Sequence, residues 1–133
     1  MNRESSLREL TAEFARHEGR QPRVMVTSRA KGQEDSRIHE AAVLLANYGF
    51  NVDLGPAFRK EQELVSNALE NDVDLLVLIS TETGLPEELV RAIEDLLARS
   101  GRADLPVLGM PQDWTPGELA NQLEASMKKL LRF

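Results

Sequence analysis

The side chains able to do chemistry gather in a few polar stretches of this 133-residue chain. Glu34 and Asp35 stand together in SRAKGQEDSR, residues 28–37. Adjacent carboxylates can act as an acid/base pair, and acids just ahead of a helix equally stabilise its positive end. Ser80, Thr81 and Thr83 could hold a ligand phosphate at a helix N-terminus, although hydroxyls in such turns also bond the local backbone. Ser80 stands where a receiver domain would place its phosphorylated aspartate, so phospho-acceptor chemistry is disfavoured. Gly32 is a lone glycine without G-x-G-x-x-G or Walker spacing, which gives mononucleotide binding no support. His17 and His39 are read as structural or exposed, because two histidines without a single cysteine do not make a metal site. Trp114, just ahead of a helix, suits a hydrophobic staple. Nothing assembles a nucleophile, a base and an orienting group.

These residues fall in loops between strongly patterned elements. Leu7, Leu10 and Phe14 mark a helix over Ser6–His17, with a capping-box spacing at Ser6 and Glu9 and a stop at Gly19. Arg23–Thr27 reads as a strand entered through Pro22. Ile38, Ala41, Ala42, Leu45 and Tyr48 recur at helical spacing over Ser36–Tyr48, closed by Gly49. Phe50, Val52 and Leu54 alternate as a strand before Gly55 and Pro56. A helix follows from Lys60 to Asn71, and the run LLVLI within Asp74–Ile79 reads as a strand covered on both faces. Pro86 opens a helix that reaches Arg99, PVLGM is a short strand, and Thr115, Pro116 and Glu118 cap and start the last helix. Alternation of this kind means right-handed crossovers and an open parallel α/β sheet, whose ligands bind beyond the carboxyl ends of the strands. Two parts are expected: a docking helix over residues 1–21 and an α/β domain over 22–133.

Composition narrows the classes. A net charge of −6 repels polyanions, so nucleic acid is not an expected partner. No run approaches the roughly 18 apolar residues of a membrane span, and the N-terminus is too polar for a secretory signal, so a cytoplasmic protein is expected.

Four segments, EGRQPRVMV, YGFNVDLGPAF, NALENDVDLLVLIS and SGRADL, occur in order from Glu18 to Leu105. They resemble the C-terminal cobalamin-binding domain of methylmalonyl-CoA mutase and related acyl-CoA mutases. The resemblance implies a flavodoxin-like (Rossmann-like) fold that takes vitamin B12 with its dimethylbenzimidazole tail displaced into the domain. It further implies a cobalt-ligating histidine in a D-x-H-x-x-G motif after the first strand. An ungapped count from Val26 to Gly49 puts the motif Asp on Gly32, the ligand His on Glu34 and the motif Gly on Arg37. The family's S-x-L after the third strand reads Ser80, Thr81, Glu82, and its Gly-Gly after the fourth reads Gly109, Met110, where a long side chain is expected to obstruct. Only PQDW separates Met110 from Thr115, too little for the family's further strand and helix, so four strands in the order 2-1-3-4 are expected, with an extra N-terminal helix.

The positions equivalent to the family pocket are therefore Gly32, Glu34, Asp35, Ser80, Glu82 and Gly109, expected to be non-functional. A carboxylate is a hard oxygen donor in place of an imidazole. The resulting expectation is a non-catalytic interaction or regulatory module that has lost histidine-ligated cobalamin and binds no cofactor, with a protein partner or a homodimer. The alternative is a small subunit or carrier that binds cobalamin weakly or with its own base on cobalt. A small-substrate enzyme using Glu34, Asp35 and Ser80 is a third reading.

Overall fold

Among the described residues apolar periodicity becomes five helices and four strands: α1 (Arg3–Glu18), β1 (Arg23–Thr27), α2 (Ser36–Asn47), β2 (Asn51–Leu54), α3 (Glu61–Glu70), β3 (Leu75–Ile79), α4 (Glu87–Arg99), β4 (Val107–Met110) and α5 (Pro116–Leu130). The computed structural model describes residues 3–28, 36–55, 58, 60–80 and 87–132. The strands form one parallel sheet in the order β2-β1-β3-β4, as the resemblance implies. Every residue of β3 is buried, because its run of branched and apolar side chains meets helices on both faces.

Period-two alternation sorts the strand residues between two cores. Val24, Val26, Leu75, Val77 and Ile79 face α1, α2 and α5, whereas Met25, Leu76 and Leu78 face α3 and α4. β2 is the half-buried edge beside β1, and β4 is the opposite edge.

Two helix starts resolve differently. Thr115 caps α5 as its spacing predicts, its hydroxyl accepting from the Glu118 N–H at 3.2 Å with Pro116 in the first turn. The first helix begins at Arg3 instead of Ser6, so the Ser6–Glu9 spacing lies inside it and caps nothing. Glu4 pairs with Arg8 one turn on, at 2.6 Å, in the part of the helix that the capping-box spacing had excluded.

The amino end of the sheet is tied by contacts between distant residues. Arg20 meets Asp74 through two bonds of 2.7 and 3.1 Å, and the Arg23 N–H donates to the same carboxylate at 2.8 Å. Asp74 holds the Arg20 pKa above its ordinary value, and the guanidinium also lies over the Phe14 ring, so the end of α1 is fastened to the start of β3.

Tyr48, buried at the end of α2, has its phenol pKa raised above the ordinary 10.0, first by burial and then by the charge of Glu4. A group whose pKa rises on folding stabilises fully below its unfolded value, and that contribution is lost as pH rises through the folded one. The urea midpoint is expected to fall above about pH 10, and Tyr48→Phe to flatten that limb. Equal alkaline slopes in the two proteins would contradict this.

Candidate functional site

The carboxyl ends of the strands are where an open parallel sheet presents a crevice, and here β1 and β3, adjacent in space, leave for opposite faces. The chain from β1 leads to α2 on one face, and the chain from β3 leads to α4 on the other. Ser28, Gly55, Ser80 and Met110 mark the four strand ends. The ladder runs on past the strands: the Gly55 N–H donates to the Val26 carbonyl at 3.0 Å, and the Ser80 N–H donates to the Met110 carbonyl at 2.8 Å. Ser80 is thus held at the rim.

Close packing fixes the β1–β2 side of this rim. A Cβ on Gly55 would come within 3.1 Å of Met25 and Thr27 side-chain atoms, so glycine lets the two strand ends approach. The Thr27 hydroxyl is buried and donates to the Gly55 carbonyl at 3.3 Å.

Of the six positions singled out in the sequence, the structure brings Ser80 and Gly109 to neighbouring strands at this end, with Gly109 in register with Leu78 and Met110 with Ile79. Gly32, Glu34, Asp35 and Glu82 lie outside the described residues. Met110 does not stand in the crevice as expected. It is 2 % exposed and belongs to the core beneath α2 and α5, because strand alternation sends it to the face opposite that of Gly109.

Neither histidine is among the side chains at the strand ends. His39 is exposed on the second turn of α2, and His17 lies in the last turn of α1, whose chain leads to the amino end of β1. Among the described residues no three His, Cys, Asp or Glu side chains converge on a metal-sized site. Arg20 and Tyr48, whose pKa values are raised, lie at the amino end, away from the crevice.

Arg37 is the residue whose role sequence reasoning did not find. From the first turn of α2 its Nε donates to the Gln112 carbonyl at 3.1 Å, and a terminal nitrogen donates to the Trp114 carbonyl. Its guanidinium carbon lies 4.2 Å from the centroid of the Trp114 indole, and Glu40 pairs with its remaining side. The bracket joins the helix that follows β1 to the segment that follows β4. The nearest signal in the sequence was Arg37 in the place of the motif glycine.

No family model matches the chain. The chain is similar to the methylmalonyl-CoA mutase large subunit of Porphyromonas gingivalis, 35 % identical over 100 residues, which cover 75 % of this chain and 14 % of that protein. The corresponding large subunit of Propionibacterium freudenreichii subsp. shermanii is 30 % identical over 141 residues, covering 94 % of this chain and 19 % of the relative. Methylmalonyl-CoA mutase of Escherichia coli K12 is 30 % identical over 108 residues, covering 78 % and 15 %. The chain therefore spans less than a fifth of the length of these relatives. The expectation of no cofactor is corrected by this similarity, which ties the chain to subunits of a mutase. Among the described residues no helix is long and apolar enough to cross a membrane.

Proposed function

We propose, from the premise that the chain is homologous to a domain-sized part of methylmalonyl-CoA mutase large subunits, that it is a small cobalamin-binding subunit or carrier that leaves the cofactor's own base on cobalt. The observation that supports this reading is that Ser80 and Gly109 lie on neighbouring strands at the carboxyl end of the sheet, while the resemblance puts Glu34 at the ligand-histidine position. A carboxylate lacks the soft nitrogen and the second N–H by which a ligating imidazole is held and oriented.

The donor chemistry fits cobalamin that brings its own nitrogen and does not fit cobalamin ligated by a protein imidazole, since His39 is exposed on α2 and His17 is far from the crevice. Ser80 and the backbone at Gly109 would contact the corrin rim, and Gly32, Glu34, Asp35 and Glu82 are the further positions that the sequence count makes equivalent to the family pocket. When bound, cobalamin supplies cobalt–carbon chemistry for radical reactions. The chain contributes binding and orientation and is non-catalytic by itself. A mutase subunit that completes a catalytic site is the fitting protein partner.

Titration with hydroxocobalamin tests the proposal. Binding with Kd on the order of 10 μM is expected, with the visible spectrum staying that of the free, base-coordinated cofactor. His39→Ala and His17→Ala are expected to leave both unchanged. No binding at millimolar cofactor would favour the interaction-only module, and a spectrum of a displaced base with loss of binding in a histidine variant would restore the family's ligation.

A further inference from the structure

The space beneath the carboxyl end, between the first turns of α2 and α5, is already filled. Trp114 is 2 % exposed and shares its buried cluster with Ile38, Ile79 and Met110. Arg37 roofs it, with the guanidinium stacked on the indole and bonded to the main-chain carbonyls of Gln112 and Trp114. A planar fork that stacks and saturates two carbonyls at once is held in a single geometry, unlike a lysine at the same place. Among the described residues the buried indole N–H has no hydrogen-bond partner. An aromatic hydrocarbon would fill the volume without that unpaired donor, so the ring is well matched to its space and poorly matched to its polarity.

We infer that Arg37 and Trp114 are the specificity determinant of this site: they fill the interior between the first turns of α2 and α5, so that a cofactor's nucleotide tail finds no room there and recognition rests on the corrin ring alone. This rests on the cobalamin reading above. The closure also explains why the cofactor keeps its own base, because a tail that finds no room inside the fold has no gain to offset leaving cobalt. The positions act by exclusion, which is how a site discriminates when the attractive contacts to two ligands are the same.

The test compares hydroxocobalamin with cobinamide, the corrinoid without the nucleotide tail. The unaltered protein is expected to bind the two within about threefold of each other, whereas Trp114→Ala, which vacates an indole-sized space, is expected to prefer cobalamin at least about tenfold. A tenfold or greater preference already present in the unaltered protein, or no preference in a folded Trp114→Ala protein, would overturn the inference while leaving the cobalamin reading standing. If neither corrinoid binds the unaltered protein, the cobalamin reading fails and this one with it. Should Trp114→Ala not fold, Arg37→Ala keeps the ring and removes the roof. Because Trp114 is the only tryptophan in the chain, its fluorescence then reports directly: acrylamide quenching should at least double and the cobalamin preference should rise. Quenching and preference both unchanged would sink the proposal.

Discussion

Replacing Gly49 by alanine is expected to lower the unfolding free energy by about 3 kcal/mol, one of the two largest losses anticipated for a single substitution in this chain. Gly49 adopts φ +102, and a Cβ built there would lie 2.3 Å from the Thr11 hydroxyl oxygen and 3.1 Å from its Cβ. The left-handed backbone costs an L side chain about 1–2 kcal/mol. Displacing Thr11 adds more, because its buried hydroxyl donates to the Tyr48 carbonyl at 2.7 Å, and an acceptor stranded there costs about 1–3 kcal/mol. Gly101→Ala is the control, with φ +81 and nothing within 4 Å of the added carbon, so it should lose only the backbone part, about 1 kcal/mol. Thr11→Ala combined with Gly49→Ala should be less damaging than the sum of the two, with a coupling of about 1 kcal/mol. Equal urea midpoints for Gly49→Ala and Gly101→Ala would show that α1 yields freely at this point. A difference would show that the helix is seated rigidly on the α2–β2 turn, where the Arg8 Nε also donates to the Asn47 carbonyl at 3.0 Å.

What was legible in the sequence is what depends on neighbours in sequence. LLVLI announced a strand covered on both faces, the apolar spacing in Ser36–Tyr48 announced α2, and Thr115-Pro116 with Glu118 announced a cap that the geometry bears out. The parallel sheet followed from alternation and crossover handedness, and its strand order from the resemblance to the mutase domain. The contacts that organise the two ends of the sheet were not legible, since each joins residues far apart: Arg20 reaches Asp74 across 54 positions, and Arg37 reaches Gln112 and Trp114 across 75 and 77. An arginine near a helix start reads as a solvated charge until the partner is seen. Met110 illustrates a subtler failure. Its adjacency to Gly109 suggested a side chain pushed into the crevice, but the pleat of β4 makes neighbours in sequence face opposite ways, so the obstruction is in the core. For the candidate site, Ser80 and Gly109 were correctly placed at strand ends because a strand's end is a local property. Gly32, Glu34, Asp35 and Glu82 lie outside the described residues, and residue types alone do not specify the conformation of a polar stretch.

Trp114→Ala is expected to cost about 3 kcal/mol, and the argument depends on two opposing quantities. Truncating a fully packed indole to a methyl group typically costs about 3–5 kcal/mol through lost transfer energy and the space left behind, and here the stacking of Arg37 is lost as well. Against that, the indole N–H is buried without a partner among the described residues, and removing such a donor returns about 1–3 kcal/mol. The net loss should therefore lie at or below the lower end of the usual range. Trp114→Phe isolates the second quantity, because it keeps an aromatic face for Arg37 and most of the contact with the core while deleting the N–H. That variant is expected within about 1 kcal/mol of the original protein, and a gain would mean that the unpaired donor outweighs the lost ring volume. If Trp114→Phe were instead as damaging as Trp114→Ala, the N–H would have an acceptor in solution, and the filled interior would be held by a hydrogen bond in place of shape. The same pair of variants then separates packing from closure. Stability follows ring volume in both, whereas exclusion of a ligand tail should survive in Trp114→Phe and fail in Trp114→Ala, because a phenyl ring under the Arg37 fork still occupies the space that a tail would need.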